Sequence, residues 1–136
     1  AKVERMVGGT VEGETVAVWG LTFKARTDDL RMSPALEISR RLAALGAGVR
    51  AYDPTVDPRR AAGDDRLTGI SVGSDPYGVC EGAAVLVVLT EWDEFRRLDF
   101  AKVAAALAHP RVVDARNLLD PAALRRRGFA YEGIGR

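Results

Sequence analysis

Short apolar segments alternate with longer polar and amphipathic ones along this chain. Six apolar segments, several of them rich in β-branched residues, predict strands at residues 15–21, 49–52, 70–72, 84–90, 111–115 and 129–134. The segments 15–21 and 84–90 are apolar on both faces, which is typical of central strands in a parallel sheet. The segment 70–72 is so short that we expect it at a sheet edge.

Amphipathic segments between the strands predict helices. In the first of them Ser33 is a candidate N-cap, and Pro34 fits the first helical position. This helix is expected to run to about Leu45, with Gly46 ending it. Its apolar face is predicted to contain Ala35, Leu36, Ile38, Leu42 and Leu45. Further helices are predicted at 76–82, 98–108 and 121–127, whereas 57–69 is expected to be mostly irregular.

Strands and helices that alternate at these lengths predict an α/β fold. We expect a doubly wound, mostly parallel open sheet, Rossmann-like, with helices on both faces. Ligands of such sheets bind beyond the carboxyl ends of the strands, where the strand order reverses. Three segments are expected to meet there: residues 20–33, residues 91–95, and Arg116 with Asn117.

Cations are concentrated in these loops. Lys24, Arg26 and Arg31 lie in the first, and Arg116 lies in the last. The helix that begins at Pro34 adds free backbone N–H groups and the positive end of its dipole. The pattern therefore predicts a site for an anion such as a phosphate group.

The motifs of several other site types are missing. After the first strand the chain reads Gly20-Leu21-Thr22-Phe23-Lys24 rather than G-x-G-x-x-G, and it has no Walker loop. We therefore expect the Lys24 ammonium to replace the usual close backbone approach to a phosphate. No metal-ligand spacing and no Ser-His-Asp set occurs, so we predict neither a metal site nor catalytic residues.

Composition narrows the possible partners. Twenty Lys and Arg against nineteen Asp and Glu give a formal charge of +1, which argues against a nucleic-acid partner. No apolar run is long enough to cross a bilayer, so no membrane partner is expected. The lone cysteine, Cys80, is expected to be a buried structural thiol, and it suits a reducing, cytoplasmic location.

Four stretches also carry a family resemblance. The segment VAVWGLTFKARTDDLRMSPALEI (residues 16–38) resembles the opening of the C-terminal, UDP-binding domain of the UDP-glucose/GDP-mannose dehydrogenases. Tyr52-Asp53-Pro54, the segment TEWDEF (residues 90–95) and the segment VDARN (residues 113–117) match the same domain in the same order. The resemblance covers nearly the whole chain, and the long loop pattern is specific.

The resemblance implies a function. Members of the family oxidise the C6 alcohol of a nucleotide-sugar such as UDP-glucose to a carboxylate in two NAD-dependent steps. The NAD-binding and central domains, which carry the cofactor fingerprint and the catalytic cysteine, would lie outside this chain. Residues 1–14 would be the tail of a connecting helix and a linker, and residues 15–136 the nucleotide-sugar-binding domain. The full-length enzyme is expected to be a homo-oligomer, and this piece alone inactive.

The resemblance also assigns site residues. Phe23 and Lys24 are expected to contact the nucleotide-sugar, and Arg116 matches the arginine that binds its diphosphate. Arg31 matches an arginine that reaches the NAD held by another domain. Met32 departs from the family pattern, which has Glu there.

Other interpretations remain open. Lys24 and Arg116 are alternatively solvated loop cations, and the chain is alternatively a regulatory or protein-interaction module of the same fold without a small ligand. Trp19 is expected in the core, whereas Trp92 lies at the predicted ligand edge.

Overall fold

The strands form one continuous parallel sheet. The computed structural model describes residues 2–22 and 33–133. Within these residues, six strands are arranged in the order β3-β2-β1-β4-β5-β6, and every neighbouring pair is parallel. They are β1 (Thr15–Trp19), β2 (Gly48–Tyr52), β3 (Ile70–Val72), β4 (Val85–Val88), β5 (Arg111–Asp114) and β6 (Ala130–Gly133). The predicted doubly wound α/β fold is confirmed, and β3 lies at an edge as expected.

Helices connect these strands. The α-helices are α1 (Lys2–Met6), α2 (Pro34–Ala44), α3 (Pro58–Ala61), α4 (Asp93–Arg96), α5 (Phe100–Ala106) and α6 (Pro121–Arg126). Single 3-10 turns are formed by Asp65–Leu67 and Gly78–Cys80. Side chains cap α2, α3, α5 and α6 at residues 33, 57, 99 and 120, which are Ser, Asp, Asp and Asp. No helix in the described part of the chain is long and apolar enough to cross a membrane.

The sheet separates two hydrophobic cores. Alternate residues of β1 serve opposite faces, so that Val16 and Val18 join one core while Ala17 and Trp19 join the other. Helices α1, α2 and α3 cover the first face, and α4, α5 and α6 cover the second. The central strands are therefore apolar on both sides, as their sequences predict.

Trp19 is part of the second core. It is fully buried, its indole N–H donates to the Pro76 carbonyl at 3.0 Å, and its ring lies 5.1 Å from that of Phe95. The expected core position is confirmed. Cys80 is also buried, as predicted.

The apolar face predicted for α2 is partly wrong. Ile38 and Leu45 are 38% and 52% exposed, whereas Ser39 is fully buried. Ser39 Oγ donates to the Ala35 carbonyl at 2.9 Å, so the small side chain is satisfied within its own helix where it faces the sheet. The helix thus contacts the sheet along a narrower face than the count of apolar residues suggests.

Two predicted boundaries also move. The segment 91–95, expected to be a loop, contains most of α4. The strand expected at 15–21 ends at Trp19, because Gly20 adopts a φ of 101° and the next two amides bond to a side chain instead of a neighbouring strand.

Candidate functional site

The reversal of strand order lies between β1 and β4, the two central strands. Because every strand of the sheet is parallel, all of them end at this carboxyl edge, and the chains after β1, β4, β2 and β5 leave it on the two sides of the reversal. The described parts of the three segments predicted to meet are therefore on one edge of the sheet, and the segment after β2 joins them.

Gly20 brings the chain leaving β1 against the chain leaving β4. A Cβ atom at this position would lie 2.4 Å from the Cβ of Thr90 and 2.7 Å from its backbone nitrogen. The amide of Gly20 donates to the Tyr52 carbonyl at 2.8 Å, which also ties it to β2. Only glycine fits this close approach at a positive φ.

Asp53, the residue after β2, holds the beginning of the loop after β1. Its Oδ2 accepts hydrogen bonds from the amides of Leu21 (2.8 Å) and Thr22 (3.2 Å) and from the Thr22 hydroxyl (3.1 Å). Its Oδ1 accepts from the amide and hydroxyl of Thr55 at 2.9 and 2.7 Å. The side chain is buried, so its charge is stabilised by these donors.

The same loop is also closed at its other end. Ser33 Oγ donates to the Leu21 carbonyl at 2.7 Å while accepting from the Leu36 amide at 3.1 Å. One hydroxyl thus caps α2 and joins it to the end of β1. Thr90 Oγ1 donates to the Thr22 carbonyl at 3.2 Å, which adds the chain after β4.

Three of the four candidate site residues, Phe23, Lys24 and Arg31, lie outside the described residues, as does Met32. Their roles stay predictions. The residues that flank them, Thr22 and Ser33, are both buried at the carboxyl edge of the sheet.

Arg116 is on a short loop that buried Asp114 organises. Asp114 Oδ1 accepts from the Arg116 amide at 3.2 Å, and its Oδ2 accepts from the Leu119 amide at 2.7 Å and the Tyr131 hydroxyl at 2.9 Å. Asn117 between them takes a φ of 53°, the turn that directs the chain back toward α6. The backbone of Arg116 is therefore fixed although its side chain is not buried.

The Arg116 guanidinium forms an ion pair with Glu91. Their Nη2 and Oε1 atoms are 2.9 Å apart, and the side chains are 40% and 48% exposed. Pairs this exposed contribute little to stability, so the pair is easily exchanged for another anion. Sequence reasoning did not identify Glu91 as this partner. The available signal is that Val88 and Asp114 are in register on adjacent parallel strands, so that residues soon after them are neighbours.

The segment that contains α4 is tied to β2. The Tyr52 hydroxyl donates to Glu94 Oε2 at 2.7 Å, and burial together with this bond and the nearby carboxylate raises the pKa of Tyr52. Trp92 packs against the second core, and its indole nitrogen is buried with no hydrogen-bond partner among residues 2–22 and 33–133.

A cavity of about 480 Å³ opens beside this edge, between α5 and α6. Its lining combines apolar side chains, among them Leu98 and Phe100, with the cations Arg96 and Arg127. Two acids on the rim, Asp99 and Asp120, already accept from the helix amides that they cap. Neither Arg116 nor Glu91 lines the cavity, so we place the candidate anion site at the sheet edge instead.

Reactive groups are sparse in the part of the chain that the structure describes. Burial raises the pKa of the Cys80 thiol to about 12, so it stays protonated at neutral pH. His109 is exposed and follows α5. In residues 2–22 and 33–133, no group of three His, Cys, Asp or Glu side chains is placed to hold a metal ion.

Comparison with solved structures shows the same fold in known dehydrogenases. A UDP-glucose dehydrogenase from Pyrobaculum islandicum is similar at a TM-score of 0.75 and 29% identity, over 98% of this chain and 28% of that one. The NDP-N-acetyl-D-galactosaminuronic acid dehydrogenase from Methanosarcina mazei is similar at a TM-score of 0.81 and 25% identity, over 99% of this chain and 27% of that one.

Sequence comparison is more specific. UDP-glucose 6-dehydrogenase from Pseudomonas aeruginosa is 43% identical over 131 residues, which are 94% of this chain and 29% of the relative. The enzyme of that name from Rhizobium meliloti is 40% identical, over 99% of this chain and 30% of the relative. The chain thus spans about 30% of the length of these curated relatives. Residues 17–121 match the sequence model of the UDP-glucose/GDP-mannose dehydrogenase family, UDP binding domain. The family predicted from the four stretches is confirmed: the chain belongs to the UDP-glucose/GDP-mannose dehydrogenase family.

Proposed function

We propose that this chain is the UDP-sugar-binding domain of an NAD-dependent nucleotide-sugar 6-dehydrogenase, which oxidises the sugar C6 alcohol to a uronic acid. In this proposal residues 1–14 are the tail of a connecting helix and a linker, and residues 15–136 are the binding domain. The match to the family's UDP binding domain and the similarity to two UDP-glucose 6-dehydrogenases support it.

The observation that carries the proposal is the state of Arg116. Its backbone is fixed by buried Asp114, and its exposed guanidinium is paired with the exposed Glu91 carboxylate at the sheet edge where ligands of this fold bind. A diphosphate offers more charge and more acceptor oxygens than the Glu91 carboxylate. Arg116 therefore exchanges Glu91 for the substrate's diphosphate, and charge-assisted hydrogen bonds hold it.

The remaining candidate residues complete the site. Lys24 supplies a second cation for the nucleotide-sugar, and Phe23 contacts it. Arg31 is assigned to the NAD that another domain holds. Binding the remote end of the substrate here positions its sugar for chemistry elsewhere in the enzyme.

The residues of this chain do not fit a complete NAD site. The chain after β1 lacks the glycine pattern that lets a backbone approach a pyrophosphate. The acid after β2, Asp53, is buried and already bonded to backbone and hydroxyl donors. NAD supplies the hydride acceptor when bound, and we place it mainly on the NAD-binding domain of the longer enzyme. That enzyme would act as a cytoplasmic homo-oligomer, in keeping with the buried, reduced cysteine.

Calorimetric titration of the chain with UDP and UDP-glucose tests the proposal. We expect weak binding and no turnover. Lys24→Ala and Arg116→Ala should each weaken binding by about 1–3 kcal/mol, since each removes charge-assisted hydrogen bonds. Glu91→Gln should strengthen binding, because it removes the anion that competes for Arg116.

Arg66→Gln is the control, because Arg66 is an exposed arginine paired with Asp64 before β3, outside the segments that follow β1, β4 and β5. It should leave affinity unchanged. Equal affinity for the chain, Arg116→Ala and Lys24→Ala would contradict the assignment. If a thermal-shift screen shows no stabilisation by UDP-sugars, GDP-sugars, NAD or phosphate, the interaction-module alternative is favoured instead.

A further inference from the structure

We propose that Asp53 is a positioning residue, which fixes the backbone of Leu21 and Thr22, the residues that lead into the candidate ligand contacts Phe23 and Lys24. The inference rests on the proposed function, because those two residues are its candidate ligand contacts. Asp53 itself would touch neither substrate nor cofactor.

The backbone of the two residues before Phe23 is hydrogen-bonded to side chains from other parts of the chain. The amides of Leu21 and Thr22 both donate to Asp53 Oδ2, at 2.8 and 3.2 Å. The Leu21 carbonyl accepts from Ser33 Oγ at 2.7 Å, and the Thr22 carbonyl accepts from Thr90 Oγ1 at 3.2 Å. All four polar backbone atoms therefore have a fixed partner.

Asp53 occupies the position after the second strand, where related folds often place a ligand-binding acid. In doubly wound nucleotide-binding folds, the acid after the second strand commonly bonds to the ribose of a dinucleotide. Here that carboxylate is only 2% exposed, and its two oxygens accept five hydrogen bonds from within the chain. It is turned inward, and its negative charge is used to organise a loop.

Asp53 makes more hydrogen bonds to Leu21 and Thr22 than Ser33 or Thr90 does. Three of its five bonds come from Leu21 and Thr22, and charge-assisted bonds are stronger than the neutral bonds made by Ser33 and Thr90. Lys24 follows Thr22 by two residues in the sequence, so in this proposal the position of the Thr22 backbone limits where the Lys24 ammonium can reach. Small displacements of a ligand-binding group are costly because hydrogen bonds depend on distance and direction.

The variant Asp53→Asn separates positioning from charge. Asparagine keeps the shape of the side chain but replaces one acceptor oxygen with an NH2 donor. This NH2 group would face either the Leu21 and Thr22 amides or Thr55, so hydrogen bonds to one of the two sets are lost. Electrostatics alone predicts tighter binding of the UDP diphosphate, because a negative charge is removed. Positioning predicts the opposite, and we expect UDP affinity to fall on the order of 10-fold.

Asp57→Asn is the control. Asp57 is exposed at the same edge of the sheet, four residues further along, and its carboxylate caps α3 through the Arg59 amide at 2.9 Å. The substitution removes the same charge, and asparagine caps as well as aspartate. UDP affinity should stay unchanged or rise slightly. Equal effects of the two substitutions would overturn the positioning role.

A second measurement needs no ligand. Amide hydrogen exchange at Leu21 and Thr22, followed by NMR, should accelerate at least about 10-fold in Asp53→Asn relative to amides of the central strands. Unchanged exchange there would overturn the inference. If the unsubstituted chain binds no UDP, the proposed function fails, while this exchange test still decides whether Asp53 fixes the backbone of Leu21 and Thr22.

Should Asp53→Asn not fold, Thr90→Val replaces it. Valine keeps the shape of threonine but removes the bond to the Thr22 carbonyl. A fall in UDP affinity of about 2- to 5-fold, with faster exchange at the Thr22 amide, is expected for one neutral hydrogen bond. Unchanged affinity and exchange would contradict a fixed Leu21–Thr22 backbone.

Discussion

Gly20 shows how one residue sets the spacing between the two central strands where they leave the sheet. Its α carbon faces Thr90, with no room for a side chain. Its amide still bonds to β2 through the Tyr52 carbonyl. Gly20, which follows β1, therefore contacts both the end of β2 and the chain after β4.

Substituting Gly20 should consequently be costly. Gly20→Ala combines a left-handed φ of 101° with a contact of 2.4 Å, and we expect it to lower the free energy of unfolding by about 3–4 kcal/mol. Gly128→Ala is the matched control, because Gly128 has a φ of 91° and open space around it. It should cost only about 1 kcal/mol. Urea denaturation measures both, and equal losses would show that the close approach to Thr90 is unimportant.

At the same scale, residue types were easier to predict than residue pairs. The position of Arg116 after a buried strand follows from the pattern of its own segment. Its pairing with Glu91 and the bonds between Asp53 and Leu21 join residues 25 and 32 positions apart. Such pairs depend on which strands are neighbours, which local periodicity does not encode.

Helix α2 shows the same difference between local features, which the sequence predicts, and tertiary contacts, which it does not. Ser33 and Pro34 fix its beginning as the sequence predicts, with the Ser33 side chain bonded to the Leu36 amide. The predicted apolar face is less accurate, since Ile38 and Leu45 remain exposed. Periodicity finds the side of a helix that faces the core, but the width of the contact is set by the sheet beneath it. Helix α4 was not predicted, because it has four residues and hydrophobic periodicity cannot be recognised over little more than one helical turn.

The N-cap of α2 should be worth more than an ordinary cap. Ser33→Ala removes both the bond to the Leu36 amide and the bond to the Leu21 carbonyl, so we expect a loss of about 2 kcal/mol in unfolding free energy. Asp99→Ala at the start of α5 removes capping bonds only and should cost about 1 kcal/mol. Equal losses in chemical denaturation would mean that the link to Leu21 contributes nothing.

For the whole molecule, the alternation of elements was sufficient to predict the fold class. The sheet, its parallel pairing and the helices on both faces all follow from the order of strands and helices. The strand order β3-β2-β1-β4-β5-β6 required the structure, because it depends on where the chain crosses over after β3. That crossover places β4 beside β1 and so creates the edge where the candidate residues gather.

The folded molecule should lose stability in alkaline solution. Burial raises the pKa of Cys80 to about 12, and burial with the Glu94 bond raises that of Tyr52. The unfolded chain loses these protons first, so the stabilisation from Cys80 declines above about pH 8.5 and that from Tyr52 only above about pH 10. Between its unfolded and its raised pKa, each group lowers the unfolding free energy by up to about 1.4 kcal/mol per pH unit.

Urea denaturation between about pH 8 and pH 11 measures the decline. Cys80→Ala should make the decline shallower from about pH 8.5, and Tyr52→Phe from about pH 10, whatever they do to stability at neutral pH. Arg66→Gln, an exposed substitution of a charge that acts on neither raised pKa, should leave the slope as it is. Identical slopes in all of these proteins would contradict the two raised pKa values.

The strand order has a practical consequence for engineering. Half of the sheet, β1 to β3, comes from residues before 73, and the other half, β4 to β6, comes from residues after 84. The two halves pair through the parallel strands β1 and β4, along Val16–Trp19 and Val85–Val88. Each half contributes different residues to the proposed binding edge. A polypeptide divided between β3 and β4 would then recover its ligand only when both pieces reunite, so the domain is a natural starting point for a two-piece biosensor.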